Sequence, residues 1–201
     1  MSRAARKPPA ERRAELAAAA RALALDEGLS AVTLRAVAAR AGVTPALVAH
    51  YHESMDGLVA ETFVSVVAAE IDEMRALLAA EPNPVRGLAA LMSTLLDGSR
   101  DDVTVIWVEA FALGRRNTAL GSVVRDQMDA WRDVIEDVIG AGVASGDFRA
   151  EDPRAVAWQL LGMIDGLNAQ ALVRWGGAAE RGSQLAHALE GMLGLGSGAL
   201  L

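Results

Sequence analysis

Cysteine is absent from the 201-residue chain, which excludes disulfide bridges, thiolate metal sites and a cysteine nucleophile. Aromatics make up only 4%, as four tryptophans, three phenylalanines and one tyrosine, and lysine occurs once, at Lys7. No uninterrupted apolar run reaches the roughly 18 residues that a spanning helix needs. The start only imitates an export signal. Arg21 interrupts the apolar stretch from Leu16 to Leu25, and Glu11, Arg12, Arg13 and Glu15 precede it. A soluble, cytoplasmic protein without membrane contact is therefore expected. What is present, 52% apolar and 22% charged residues, suits a buried core rather than a disordered chain.

The net charge of −7 argues at first against nucleic acid as a partner. Its distribution reverses that. Residues 1–52 hold eight basic and four acidic side chains, a local +4, and the rest of the chain carries −11. A basic first quarter on an acidic body is the pattern of a protein with one end on phosphate. A solvated basic first helix would give the same split, so charge alone leaves both open.

Alanine is abundant and β-branched runs are scarce, which favours helix nearly throughout. The punctuation predicts about nine helices and no sheet. A first helix runs over Ala10–Glu27, with Leu16, Ala20 and Leu23 on one face, to a stop at Gly28. Thr33 caps Leu34–Ala41, which Gly42 closes. Thr44 caps the next, with Pro45 at its first position, ending near Tyr51. Longer helices follow: Met55–Ala80 behind Ser54, one from Asn83-Pro84 to about Ser99, one from Asp101 to Arg116, and one from Thr118 fading near Gly142–Gly146. Asp152-Pro153 opens a helix reaching Trp175, and the last ends near Leu193.

Two short helices meeting across Ala41-Gly42-Val43 match the helix-turn-helix plan, in which the second helix enters the major groove. Leu34, Val37, Ala38, Val43, Leu47 and Val48 supply an inner face for the first helix to cover. Ala38 and Gly42 are expected to let the pair approach closely. An ordinary corner between two helices would look similar, and the basic bias favours DNA binding.

The run from Thr33 to Thr44, followed by His50-Tyr51, Ser54 and Gly57-Leu58, resembles the TetR family of bacterial regulators. Ala49-His-Tyr51, Trp107-Val-Glu-Ala-Phe111 and Arg125-Asp-Gln-Met128 are similar to its BetI-like branch, typified by a choline-responsive repressor. The resemblance implies an all-α fold, with a DNA-binding domain over residues 1–53 and a ligand-binding and dimerisation domain over residues 54–201. It also implies a double-stranded DNA operator, a small-molecule effector of cationic or aromatic character, and a homodimer. By position, Thr33 matches a cap that meets phosphate, and Arg35 a residue facing groove or backbone. Thr44, Pro45 and Ala46 open the recognition helix, and His50 and Tyr51 match its contacts to phosphate or a thymine methyl. Pro45 and Met55 stand where the family often has lysine, and Ala49 and His52 where it has aromatics. With few strong donors on that helix, DNA shape is expected to contribute. Arg3, Arg6 and Lys7 form either a backbone-tracking arm or an unstructured tail.

His50 and His52, two residues apart, do not share a helix face, and nothing nearby completes a metal site. Neither metal nor cofactor is expected. His187 is remote and no nucleophile or phosphate-loop motif occurs, so no enzyme is expected.

All four tryptophans follow residue 53. Trp107 and Phe111, Trp131, and the carboxylates Glu109, Asp129 and Asp165 suit a cage for a cation. They suit equally well an ordinary core or a dimer seam. Asn168 and Gln127 would add polar groups to such a pocket, and the expected ligand contacts are Trp107, Phe111, Trp131, Asp165 and Asn168. Leu160, Leu161, Ile164, Leu167, Leu185, Leu189 and Met192 are expected at a two-fold seam. The expected function is a repressor that leaves a palindromic operator when an inducer binds. An activator, a non-specific DNA-binding protein, and a ligand-binding helical protein with a weakened recognition helix remain as alternatives.

Overall fold

A computed structural model describes residues 7–201. Arg3 and Arg6 of the expected arm lie outside the described residues. Among those described there are nine α-helices, one 3-10 turn at Leu29–Ala31 and no strand. The helices are α1 (Pro9–Glu27), α2 (Leu34–Ala41), α3 (Pro45–Tyr51), α4 (Met55–Ala80), α5 (Pro84–Leu96), α6 (Asp101–Leu113), α7 (Thr118–Ser145), α8 (Pro153–Leu172) and α9 (Ala178–Leu193). No helix is long and apolar enough to cross a membrane.

The chain forms two compact units. The first comprises the described residues up to Val66 together with Val105–Val124; the second comprises Val67–Thr104 and Arg125–Leu201.

In the first unit α1 packs on α2, and α2 on α3. Leu16, Ala20 and Leu23 of α1, Val37 and Ala38 of α2, and Val48 of α3 are buried together with Leu58 and Phe63. Each buried leucine contributes about 2 kcal/mol. Two helices this short cannot rest on propensity, and their ends are fixed by side chains. The Thr33 hydroxyl accepts from the Ala36 N–H, and the Thr44 hydroxyl from the Leu47 N–H. The Ser54 hydroxyl takes the Gly57 N–H at the start of α4. Gly42 sits at φ 65° and donates to Ala38 and Ala39. Its role differs from the close approach expected of it. A Cβ there would meet nothing within 4 Å, so glycine is needed for its left-handed backbone and not for space.

In the second unit α5 packs on α8 and α9, which also pack on each other. Met74, Leu88, Leu91, Ile135, Ile139, Leu160, Leu185 and Leu189 are buried there. α7 ends at Ser145, within the stretch Gly142–Gly146 where fading is expected, and Gly142 leaves room for the Phe148 ring, 2.1 Å from where a Cβ would stand. α5 ends at Leu96, short of the expected Ser99, and Asp97 then caps the turn by accepting from the Ser99 N–H. α8 stops at Leu172, and Trp175 lies beyond it.

Candidate DNA interface and ligand-binding residues

The surface of the first unit that could meet DNA is built from helix starts. Thr33 and Thr44 are exposed caps whose oxygens accept backbone N–H groups, leaving each hydroxyl proton free to be donated outward. Arg35, Pro45, Ala46, Ala49 and His50 are exposed as well. Tyr51 is half-buried, its ring edge-on to His50 at 5.3 Å. The Arg13 guanidinium stands 6.0 Å from the Tyr51 ring centroid, a contact sequence reasoning missed because α1 and α3 are far apart in the chain.

The local charge of this unit is smaller than the count of basic residues suggests. Lys7 and Arg12 both pair with Glu15, and Arg40 pairs with Asp26. Among the described basic residues of the first 52, Arg13, Arg21 and Arg35 make no ion pair. His52 is turned inward, 8% exposed, with Nδ1 3.1 Å from Glu61. It therefore packs where His50 faces solvent.

The expected ligand-binding residues fall in both units. In the first, Trp107 and Phe111 lie one turn apart on α6 with ring centroids 5.7 Å apart, and Trp107 meets Phe63 edge-on at 5.0 Å. Glu109, read as a cage carboxylate, is occupied elsewhere. It accepts from the Ser30 N–H at 2.9 Å and from the Ser30 hydroxyl at 2.7 Å.

In the second unit Trp131 is 3% exposed, within the core that includes Val134 and Ile135. Asp129 is tied to Arg132. Trp158 and Trp175 are 69% and 66% exposed, so neither walls an enclosed cage within this chain. Trp158 borders a shallow hollow of 180 Å³ between α7 and α8, with Arg125, Met128, Asp129, Arg132 and Leu161. The Asn168 amide donates to the Leu95 carbonyl at 3.0 Å, which fixes its orientation. Asp165 differs from the other two carboxylates. It is half-buried on α8 and has neither hydrogen bond nor ion pair among the described residues, and burial pushes its carboxyl up to about 6. The residues expected at a two-fold seam divide too. Leu160, Ile164, Leu185 and Leu189 are already buried within the second unit, which leaves Leu161, Leu167 and Met192 partly open.

Comparison with known proteins matches these regions. Residues 16–62 fit the family model for bacterial regulatory proteins of the tetR family, and residues 84–194 fit that for the C-terminal part of BetI-type transcriptional repressors. The HTH-type transcriptional repressor KstR2 of Rhodococcus jostii (strain RHA1) is 27% identical over 166 residues, covering 77% of this chain and 79% of that protein. Two solved structures share the fold. A transcriptional regulator from Saccharomonospora viridis in complex with choline has a TM-score of 0.79 at 23% identity, over 92% of this chain and 98% of that one. A TetR transcription regulator from Haloarcula marismortui ATCC 43049 has a TM-score of 0.79 at 21% identity, over 92% and 99%. The helix-turn-helix of α2 and α3 is thus a DNA-binding head and not a chance corner, and the chain belongs to the TetR family as a transcriptional repressor, not an enzyme, with a BetI-type C-terminal domain.

Proposed function

We propose that the protein is a cytoplasmic homodimeric repressor that holds a palindromic operator and releases it when a quaternary ammonium ligand of the choline type binds. Residues 1–53 read the DNA and residues 54–201 carry the effector site and the dimer surface. One seven-residue recognition helix reaches too few base pairs for a specific site, so two heads on a two-fold axis are needed. Thr33, Arg35 and Tyr51 hold phosphates. Thr44, Pro45, Ala46 and His50 face base edges and thymine methyls. The dimer surface is the outer side of α8 and α9, where Gly162, Met163, Gly166, Leu167, Gln170 and Gln184 edge an open groove of 300 Å³.

The observation that carries the effector reading is Asp165. A half-buried carboxylate without a partner is costly when ionised, and a cation is the ligand that would relieve that cost. The resolved choline complex of the Saccharomonospora relative supports the same class of ligand. Within the same unit as Asp165, Trp131 is the aromatic candidate and Asn168 the polar one. Effector binding lowers operator affinity through its preference for a second arrangement of the heads.

Calorimetric titration with choline tests this. The parent is expected to bind, and Asp165→Asn to lose at least tenfold in affinity, the loss expected for one uncompensated charge contact. Since the ligand needs the ionised carboxylate, parent affinity should fall as pH drops below about 6. Equal choline affinity in parent and Asp165→Asn would overturn the assignment.

A further inference from the structure

α6 carries two chemistries on opposite sides. Trp107 and Phe111 are stacked on one side. Glu109 falls two residues from each, about 160° round the helix from both. It reaches the turn that joins α1 to α2.

That contact is built rather than incidental. Glu109 Oε2 accepts the Ser30 backbone N–H at 2.9 Å and Oε1 accepts the Ser30 hydroxyl at 2.7 Å, so one residue satisfies both oxygens. Gly28 makes the approach possible. A Cβ there would stand 2.9 Å from Oε2 and 3.1 Å from Oε1, and the φ of +90° independently excludes other residues. The partners are 79 residues apart in sequence. A second link in the same unit runs from the Asn117 side-chain amide to the Asp56 carbonyl at 3.2 Å. The oxygen of the same Asn117 caps α7 through the Leu120 N–H. The segment from α6 to the start of α7 is therefore fastened to the head at two places, the α1–α2 turn and the first turn of α4.

We propose that Glu109 is a positioning residue for DNA binding: its two-oxygen hold on Ser30 keeps the α1–α2 turn in the operator-reading arrangement. A carboxylate clamped on two donors has a narrow range of acceptable positions, so a small rotation of α6 loses both bonds together. Loss of the hold removes order from the turn that precedes α2, and with it the pose of the cap at Thr33.

The test is a double-mutant cycle on operator binding by the full-length protein, using a duplex that the parent itself selects from a random-sequence pool. Ser30→Ala keeps the backbone N–H and removes only the hydroxyl; Glu109→Gln keeps the shape and sets an amide against the donors. Each is expected to weaken operator binding by about tenfold, as for a hydrogen bond to a charged group. The double variant is expected to lose no more than the worse single one. Circular dichroism and melting temperature report whether each variant is folded. Hydrogen exchange at the Ser30 amide supplies a second readout, expected to quicken in Glu109→Gln even where the fold is intact. Parent-like operator binding in both folded variants, or fully additive losses, would overturn the positioning role.

Discussion

The helices of the two units differ in length, and with it in how much they depend on their caps. In the first, helices of seven and eight residues depend on local polar closures: the hydroxyls of Thr33 and Thr44 and the left-handed Gly42. In the second, helices such as α8 and α9, of 20 and 16 residues, pack apolar faces on one another, with Leu160, Leu185 and Leu189 buried. Caps are worth about 1 kcal/mol each and a large buried side chain several times that. A head made of capped short helices keeps its threonines and arginines at the surface, where DNA can reach them. A packed unit can instead hold a half-buried carboxylate such as Asp165 in an apolar setting.

The contrast can be broken by substitution, and the largest effect is expected in the core of the first unit. Phe63 is fully buried and meets Trp107 edge-on. Phe63→Ala should destabilise by about 4 kcal/mol, read as a fall in the denaturant midpoint at unchanged slope.

The next effect has the opposite sign. Burial raises the Asp165 carboxyl from 3.8 to about 6, so the folded protein holds that proton more tightly than the unfolded chain does. Above pH 6 the folded state therefore carries a penalty, which disappears as pH falls through 6 towards 4. Asp165→Asn should stabilise the protein by about 2 kcal/mol at pH 7.5. The gain should vanish near pH 4, as a pH series of melting curves would show.

Smaller again is Thr44→Ala. Loss of the α3 cap should cost about 1 kcal/mol, and under the proposed function, which sets that hydroxyl against DNA, it should weaken operator binding more than that stability loss explains. Gel shifts beside melting curves separate the two. At the far end, Arg86→Ala removes an exposed ion pair to Glu81 and should leave the melting temperature unchanged within error.

The same contrast accounts for what could be read from the sequence. α2 and α3 were legible to the residue because Thr33, Gly42, Thr44 and Pro45 act on backbone groups within three or four positions of themselves. The start of α7 at Thr118 was legible too, and Asn117 caps it by accepting from the Leu120 N–H. Long-range partners were not legible at all. Nothing near Glu109 in sequence points to Ser30, whereas the Asp129–Arg132 pair, three residues apart on α7, follows from helical spacing. The tryptophans share that limit, since a tryptophan has similar neighbours in sequence whether it ends up in the core, as Trp131 does, or at the surface, as Trp158 does. Family likeness carried the function further than composition could, because the charge of the head is partly cancelled by its own carboxylates at Glu15 and Asp26.

The central claim is that DNA is read by the first unit while a cation is sensed at Asp165. It is tested most directly by fluorescence anisotropy of a labelled operator duplex titrated with parent and Asp165→Asn, each without choline and with choline at about five times the parent's own dissociation constant for it. Without choline the two proteins should bind the operator equally. With choline the parent should lose about fivefold in operator affinity, and Asp165→Asn less than about twofold. Release of the variant by choline to the same extent as the parent would contradict the account.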